Sequence, residues 1–81
     1  MELKDTIELM DGENYNDRFK AEYYQLKIRM LKLQAFLSKY KNNELSFIPN
    51  CSYDLLNGQF KVMDLYASYL EERALIENIE I

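Results

Sequence analysis

Apolar residues recur along residues 15–41 at alternating intervals of four and three, with no Gly or Pro between them. That spacing keeps the side chains on one face of an α-helix, as in a heptad seam. The seam consists of Phe19, Tyr23, Leu26, Met30, Leu33, Leu37 and Tyr40. A second apolar stripe beside it consists of Tyr24, Ile28, Leu31 and Ala35. The pattern predicts a helix over 15–41 whose apolar face is wider than one partner helix covers.

The same periodicity predicts a second helix over about 52–77, with Ser52 as its N-cap. Its inner seam consists of Leu56, Phe60, Met63, Ala67, Leu70 and Ala74. A parallel stripe consists of Leu55, Gln59, Val62, Tyr66, Tyr69, Arg73 and Ile76. Pro49 forbids helix continuation through the loop 42–51, so the two helices are predicted to form an antiparallel hairpin. Phe47 and Ile48 are expected to plug the open end of this hairpin.

The chain ends carry weaker patterns. A short helix is expected at about 4–11, where Ile7 and Met10 lie three apart and Gly12 supplies a stop. It is too short to persist alone, so we expect it to dock on the long helix or on a neighbouring subunit. The acidic tail after residue 75 is expected to be frayed or docked on another subunit. The sequence thus predicts an all-α fold in a single domain, 1–81.

Composition adds a prediction of self-association. A chain of 81 residues is small for a single stable core, and such chains usually need a disulfide, a metal or oligomerisation. Cys51 is the single cysteine, and the chain has no His, the commonest metal ligand. Two apolar stripes on each of two helices are also hard to bury in one hairpin. We therefore expect a homo-oligomer.

Charge is distributed unevenly along the chain. The net charge is −4, yet residues 15–41 carry seven basic side chains against Asp17 and Glu22. This basic helix lies between two acidic segments, which favours antiparallel docking and disfavours a nucleic-acid partner.

The N-terminal run MELKDTIELM contains acids and does not resemble a signal peptide. No segment approaches the ~20 apolar residues of a membrane span, so we expect no membrane partner and a cytoplasmic location.

Catalytic motifs are missing from the sequence. There is no His to act as a base, no glycine-rich phosphate loop, and no metal-ligand spacing. Glu71 and Glu72 are adjacent and point in different directions on a helix. We therefore expect no enzymatic activity, no catalytic or metal-binding residue and no cofactor. Tyr, Arg and Lys share the long helix and could stack on bases and bind phosphate, although tyrosines at helical spacing are more often core or interface residues.

Two spaced patterns carry a family resemblance. The first is MELKDTIELM followed by Tyr15-x-x-Arg18-x-x-x-Glu22-x-x-x-Leu26-Lys27. The second is Gln59-x-x-x-Met63-x-x-Tyr66-x-x-x-Leu70-x-x-Arg73. Together they resemble the helical hairpin domain shared by anti-CBASS and anti-Thoeris proteins of phages, which are sponges for immune signalling nucleotides.

The resemblance implies a protein that binds cyclic nucleotide or cyclic ADP-ribose messengers without cleaving them, in the host cell cytoplasm. It also implies homo-oligomers, often hexamers, with pockets between subunits. Tyr15 would stack on a base, and Arg18 and Lys27 would contact phosphate. Lys27 lies ~13 Å along the helix from Arg18, so it would reach the ligand from a neighbouring subunit. Gln59 and Arg73 would line an interface or a second pocket.

An alternative function remains open. A helical structural or protein-binding module, such as an inhibitor of a host protein, would have the same periodicity. Gln59 and Arg73 discriminate between the two, because an adapter would tolerate apolar residues there, whereas an anion pocket needs the guanidinium.

Overall fold

The computed structural model of the chain describes residues 1–12 and 14–81. A 3₁₀ turn at Leu3–Thr6 leads into α1 (Ile7–Met10), which is followed by α2 (Tyr15–Lys41) and α3 (Tyr53–Glu77). Within these described ranges there is no β-strand, and the all-α prediction is confirmed. No helix in them is both long enough and apolar enough to cross a membrane.

Local signals set the limits of α2. The Asn14 side chain accepts a hydrogen bond from the backbone N–H of Asn16 at 2.7 Å and caps the first turn. Lys39 and Lys41 lie in the last turn, where positive charge meets the negative end of the helix dipole. Asn43 then adopts a left-handed conformation with φ of 58° and turns the chain. A helix of this length spans ~40 Å, and the molecule measures 43 Å along its longest axis.

The ends of α3 are fixed in a similar way. The Ser52 hydroxyl accepts a hydrogen bond from the Leu55 N–H at 3.1 Å. At the other end Asn78 is left-handed, with φ of 57°, and the Ile79 N–H donates to the Ala74 carbonyl at 2.8 Å. Ile79 is buried in the core of its own chain. The expectation of a tail that is frayed or docked elsewhere is therefore wrong for Ile79.

The core lies between α2 and α3 and follows the two predicted seams. Its buried members are Phe19, Tyr23, Leu26, Met30, Ala67, Leu70, Ala74 and Ile79. Leu70 is completely buried, and burial of one such side chain contributes about 1.5–3 kcal/mol to folding. The small residues Ala67 and Ala74 lie one heptad apart and let α2 approach α3 closely.

The N-terminal segment, residues 3–10, packs on the other side of α2 and does not contact α3. Thr6 is completely buried there, and its hydroxyl donates to the Leu3 carbonyl at 2.7 Å and accepts from the Gln25 amide at 3.0 Å. Ile7 and Met10 are each 51% exposed, so the apolar pair in the sequence does not form the docking face. A segment this short is oriented by its contacts rather than by its own periodicity.

The loop end of the hairpin is held by Tyr40. Its hydroxyl donates to the Cys51 carbonyl at 3.2 Å, and its ring meets the Tyr53 ring edge-on at 5.8 Å between centroids. Phe47 lies 6.2 Å from the Phe36 ring but remains largely exposed, and Ile48 is 93% exposed. The expectation that Phe47 and Ile48 plug this end is therefore wrong.

Candidate functional site

The antiparallel hairpin brings the start of α2 against the end of α3, and a polar aromatic cluster forms there. Arg73 donates from Nη2 to the Tyr15 hydroxyl at 2.9 Å, and that hydroxyl donates to Oε1 of Glu77 at 2.9 Å. Phe19 lies beneath the guanidinium, 5.1 Å from Cζ of Arg73 to the ring centroid. We refer to Tyr15, Phe19, Arg73 and Glu77 as the Tyr15–Arg73 cluster. It consists of two pairs, each four residues apart on its helix, that face each other.

The cluster contains a cation with several fixed partners. The hydrogen bond to the Tyr15 hydroxyl is the main reason that the pKa of the Arg73 guanidinium lies above its ordinary value. Nε of Arg73 also lies 3.5 Å from Oε2 of Glu77, in an exposed ion pair. The face of the Phe19 ring adds a favourable interaction with the same charge. Arg73 is thus oriented at the surface, where it could meet an anionic ligand.

Arg18 lies at the same end of the molecule but is directed elsewhere. Its Nη1 donates to the Gly12 carbonyl at 3.1 Å, in the connection between α1 and α2. Tyr15 and Arg18, which were predicted to bind one ligand together, are close in sequence. Their polar atoms nevertheless form hydrogen bonds with different parts of the fold. Tyr15 connects α2 to α3, and Arg18 connects α2 to the chain just before it, at Gly12.

Lys27 and Gln59 lie far from the Tyr15–Arg73 cluster within one chain. Lys27 is twelve residues beyond Tyr15 on α2, ~18 Å along the axis. Gln59 is fourteen residues before Arg73 on α3, ~21 Å away. The fold thus joins Tyr15 to Arg73, which belong to different sequence motifs. A role for Lys27 or Gln59 at this cluster stays a prediction that requires a second chain.

Two more tyrosines connect the helices. The Tyr23 hydroxyl donates to Glu71, and the Tyr66 hydroxyl donates to Glu22. Burial, reinforced by the bond to Glu71, raises the pKa of Tyr23 to about 12. These tyrosines have the structural role that helical spacing favours. Tyr15 is 46% exposed, whereas Tyr23 is only 9% exposed.

A cleft that the sequence pattern did not predict lies at the loop end of the hairpin. It has a volume of about 460 Å³, and its lining includes Lys32, Phe36, Lys39 and Phe47. Lys32, Phe36 and Lys39 follow the four-three spacing of one helix face, and this was the signal available in the sequence. Two ammonium groups beside two aromatic rings could also hold an anion with an aromatic part, although Glu44 lines the same cleft.

The described residues contain no group of three or more His, Cys, Asp or Glu side chains that could hold a metal ion. The two candidate sites consist of aromatic rings, Arg or Lys, and carboxylates.

The fold and its charged aromatic clusters define a small helical-hairpin protein. A family model described as Sequestin matches residues 13–76, and the chain belongs to the Sequestin family. Sequestin is the family of phage cyclic-nucleotide sponges, so the family resemblance of the sequence is confirmed. The match begins after α1 and covers α2, the loop and α3 up to its last residue but one. No curated protein and no solved structure matches the chain.

Proposed function

We propose that this protein binds cyclic nucleotide immune messengers in the cytoplasm of the infected host and sequesters them without cleavage. Membership of the Sequestin family supports a sequestering role. The main support for a binding site at the Tyr15–Arg73 cluster is the hydrogen bond between Arg73 and Tyr15. This bond holds a cation beside an exposed aromatic residue.

Arg73 would supply the phosphate contact. In the free protein the carboxylate of Glu77 lies beside the guanidinium, in an exposed ion pair of the kind that adds little stability. A phosphate could replace this carboxylate and form bidentate hydrogen bonds with the planar guanidinium. The ligand would therefore exchange one anion for another at a cation that is already oriented.

Tyr15 would supply the base contact. Phe19 is buried beneath Arg73, so Tyr15 offers the accessible ring of the cluster. Stacking of a base on an aromatic side chain contributes ~1–3 kcal/mol. Tyr15 is also the first residue of α2, where free backbone N–H groups and the helix dipole favour phosphate.

The ligand would be released intact. The chain contains no His, and its single Cys51 has no histidine base to activate it. Sequestration needs no chemistry, because binding alone lowers the free concentration of a messenger below the level that activates its effector. The proposed mechanism is therefore stoichiometric.

We also propose that the working form is a homo-oligomer, with a hexamer as the expected size. Lys27 and Gln59 would then approach ligands held by neighbouring subunits. The motivation is the exposed apolar surface of α3, where Val62, Tyr69 and Ile76 remain largely exposed on the described chain.

A thermal-shift and calorimetric screen tests the function. The probes are cyclic dinucleotides, cyclic trinucleotides and cyclic ADP-ribose isomers, and the matched linear nucleotides are the controls. A ligand at 100 times its Kd stabilises the fold by ~2.7 kcal/mol. Ligand recovered from the heat-denatured complex should have the retention time of the intact cyclic compound. A hydrolysed product would contradict sequestration, and failure of all three classes to bind would overturn the proposed function.

The alternative is a helical structural or protein-binding module, such as an inhibitor of a host protein. The same exposed apolar surface of α3 favours it, since such surfaces often bind another protein. Capture of a host protein by a chain that binds no cyclic nucleotide would favour this alternative.

A further inference from the structure

An apolar stripe on α3 remains largely uncovered by the part of the chain that the structure describes. Six large side chains share this surface and are between 43% and 73% exposed. They are Leu55, Val62, Leu65, Tyr66, Tyr69 and Ile76. Four of them recur every seven residues, at 55, 62, 69 and 76, which is the repeat of a helix that packs along another helix. We refer to these six residues as the α3 stripe.

Gly58 lies on the same surface of α3 and is exposed. A Cβ atom placed on Gly58 would meet nothing within 4 Å. Glycine weakens the interior of a helix, and among the described residues no turn, positive φ or neighbouring atom requires a glycine at position 58. Close packing of another molecule against this surface of α3 would explain why a glycine, with no side chain, occupies position 58.

We infer that two copies of this chain pair through their α3 stripes in an antiparallel arrangement, with the two-fold axis between Leu65 and Tyr66. In this register position 62 of one copy lies level with position 69 of its partner. Position 55 lies level with position 76. The stripe meets itself along its whole length, as a closed isologous interface requires.

Charge favours this direction over a parallel pair. Lys61 is the only basic residue of α3 before Arg73, and Glu72 lies eleven residues after it on the same flank of the stripe. Antiparallel pairing places Lys61 of one copy within ~3 Å along the axis of Glu72 of the partner copy. Parallel pairing would instead oppose Lys61 to a second lysine and Glu72 to a second glutamate.

The pairing also completes the Tyr15–Arg73 cluster. In the same register Gly58 lies level with Arg73 of the partner copy, and Gln59 lies within ~2 Å of that level along the axis. Gly58 leaves room for the guanidinium and its partners, and Gln59 adds an amide beside them. This last step rests on the proposed function, whereas the pairing itself does not.

Disulfide trapping without nucleotide tests the pairing alone. In a Cys51→Ser background, Val62→Cys and Tyr69→Cys are made as separate proteins and oxidised alone or mixed. Residues 62 and 69 lie level across the axis, whereas each residue lies ~10 Å along the axis from its own equivalent. Disulfides need Cα atoms within about 7 Å. Only the mixture should form covalent dimers.

Other outcomes of the trapping overturn the inference. Covalent dimers of either protein alone would show a parallel pair. No covalent dimer in the mixture would show that the stripe does not pair in this register. As an independent check, Val62→Glu should shift the parent to a smaller species by sedimentation without loss of helical circular dichroism. If Val62→Glu and the parent have the same sedimentation coefficient, the α3 stripe is not the interface between copies, and the inference is overturned.

Subunit complementation tests the shared site, with the cyclic nucleotide that stabilises the parent protein as the probe. Gln59→Ala and Arg73→Ala should each lose binding alone. In a mixed dimer, one of the two sites would contain both native residues. An equal mixture should therefore recover about a quarter of the parent's sites. No recovery would show that Gln59 and Arg73 do not act across the pair, even where trapping supports the pairing.

Discussion

The hydroxyl of Tyr15 accepts a hydrogen bond from Arg73, which lies 58 residues later in the chain, at 2.9 Å. This contact joins the first residue of α2 to the last turns of α3. The contact brings two separate sequence motifs together on one surface. That surface contains the oriented Arg73 guanidinium, the exposed Tyr15 and the Glu77 carboxylate, which a phosphate could replace. The first two predictions follow from it.

Arg73→Gln and Glu77→Gln should change cyclic nucleotide affinity in opposite directions. Arg73→Gln removes the charge that would meet phosphate, and should weaken binding roughly tenfold or more, the scale of one lost charge-assisted hydrogen bond. Glu77→Gln removes the carboxylate that competes for the guanidinium, and should strengthen binding. Calorimetry measures both. Arg29→Gln, a similar charge loss at an exposed position of α2, is the control and should have little effect. Weaker binding by Glu77→Gln would exclude anion exchange.

Tyr15→Ala and Tyr15→Phe separate stacking from hydrogen bonding. Loss of the ring in Tyr15→Ala should weaken binding by ~1–3 kcal/mol if the ring stacks on a base. Tyr15→Phe keeps the ring but frees Arg73 and Glu77 from the hydroxyl, so it should retain most of the affinity. Titration of both variants with the same ligand checks this. Equal losses in the two variants would assign the role of Tyr15 to its hydroxyl.

Tyr23 should make stability depend on pH in the alkaline range. Its pKa is raised from 10.0 to about 12, mainly by burial, so the folded state holds the proton more tightly than the unfolded chain. This stabilisation is complete below pH 10 and is lost as the pH rises through 12. Urea unfolding across this window should show a shallower loss for Tyr23→Phe than for the parent. Tyr53→Phe removes the hydroxyl of a half-buried tyrosine at the start of α3 and is the control. Identical slopes for Tyr23→Phe and the parent would contradict the prediction.

Ile79→Ala should destabilise the fold by about 2 kcal/mol or more, because it removes a buried side chain from the core. Ile48→Ala is the matched control, since Ile48 is 93% exposed, and it should have almost no effect. Urea denaturation of the two variants gives the comparison. A tail that contributes nothing to the core would make them indistinguishable.

Asn78→Ala should lower the free energy of unfolding by about 1 kcal/mol, because a Cβ-bearing residue without a polar side chain resists the left-handed conformation. Asn78 has φ of 57°, which Gly adopts freely, so Asn78→Gly should be tolerated. Thermal unfolding of the pair provides the test. If Ala and Gly are equivalent at this position, the left-handed turn does not limit stability.

Local chemistry made much of the helical pattern predictable. The Asn14 cap, the terminal lysines and the Asn42-Asn43 pair all mark the limits of α2, which spans Tyr15–Lys41 where 15–41 was predicted. The inner seams were predictable for a similar reason, because the four-three period is a property of the helix itself. The sequence also showed that α3 carries more apolar surface than one hairpin can bury.

The cluster was not predictable in the same way. The register between α2 and α3 depends on the loop and on how Ala67 and Ala74 fit against α2, and periodicity does not determine it. Tyr15 and Arg73 therefore appeared as members of two separate groups. The separation of Gln59 from Arg73 along one helix, by contrast, could have been calculated from their numbers alone. The orientation of residues 3–10 on α2 depends on the buried Thr6. Thr6 is polar, so a search for apolar positions does not predict that it is buried.

The position of the N-terminal segment on α2 bears on how proteins of this kind diversify. Residues 3–10 contact α2 and leave α3 untouched, and the family match starts only at residue 13. The segment covers one side of α2 and accepts a hydrogen bond from Gln25 there. Changes in residues 3–10 need not disturb the Tyr15–Arg73 cluster, because that cluster lies where α2 faces α3. Evolution could therefore vary this end of the chain independently of the surface that holds a ligand.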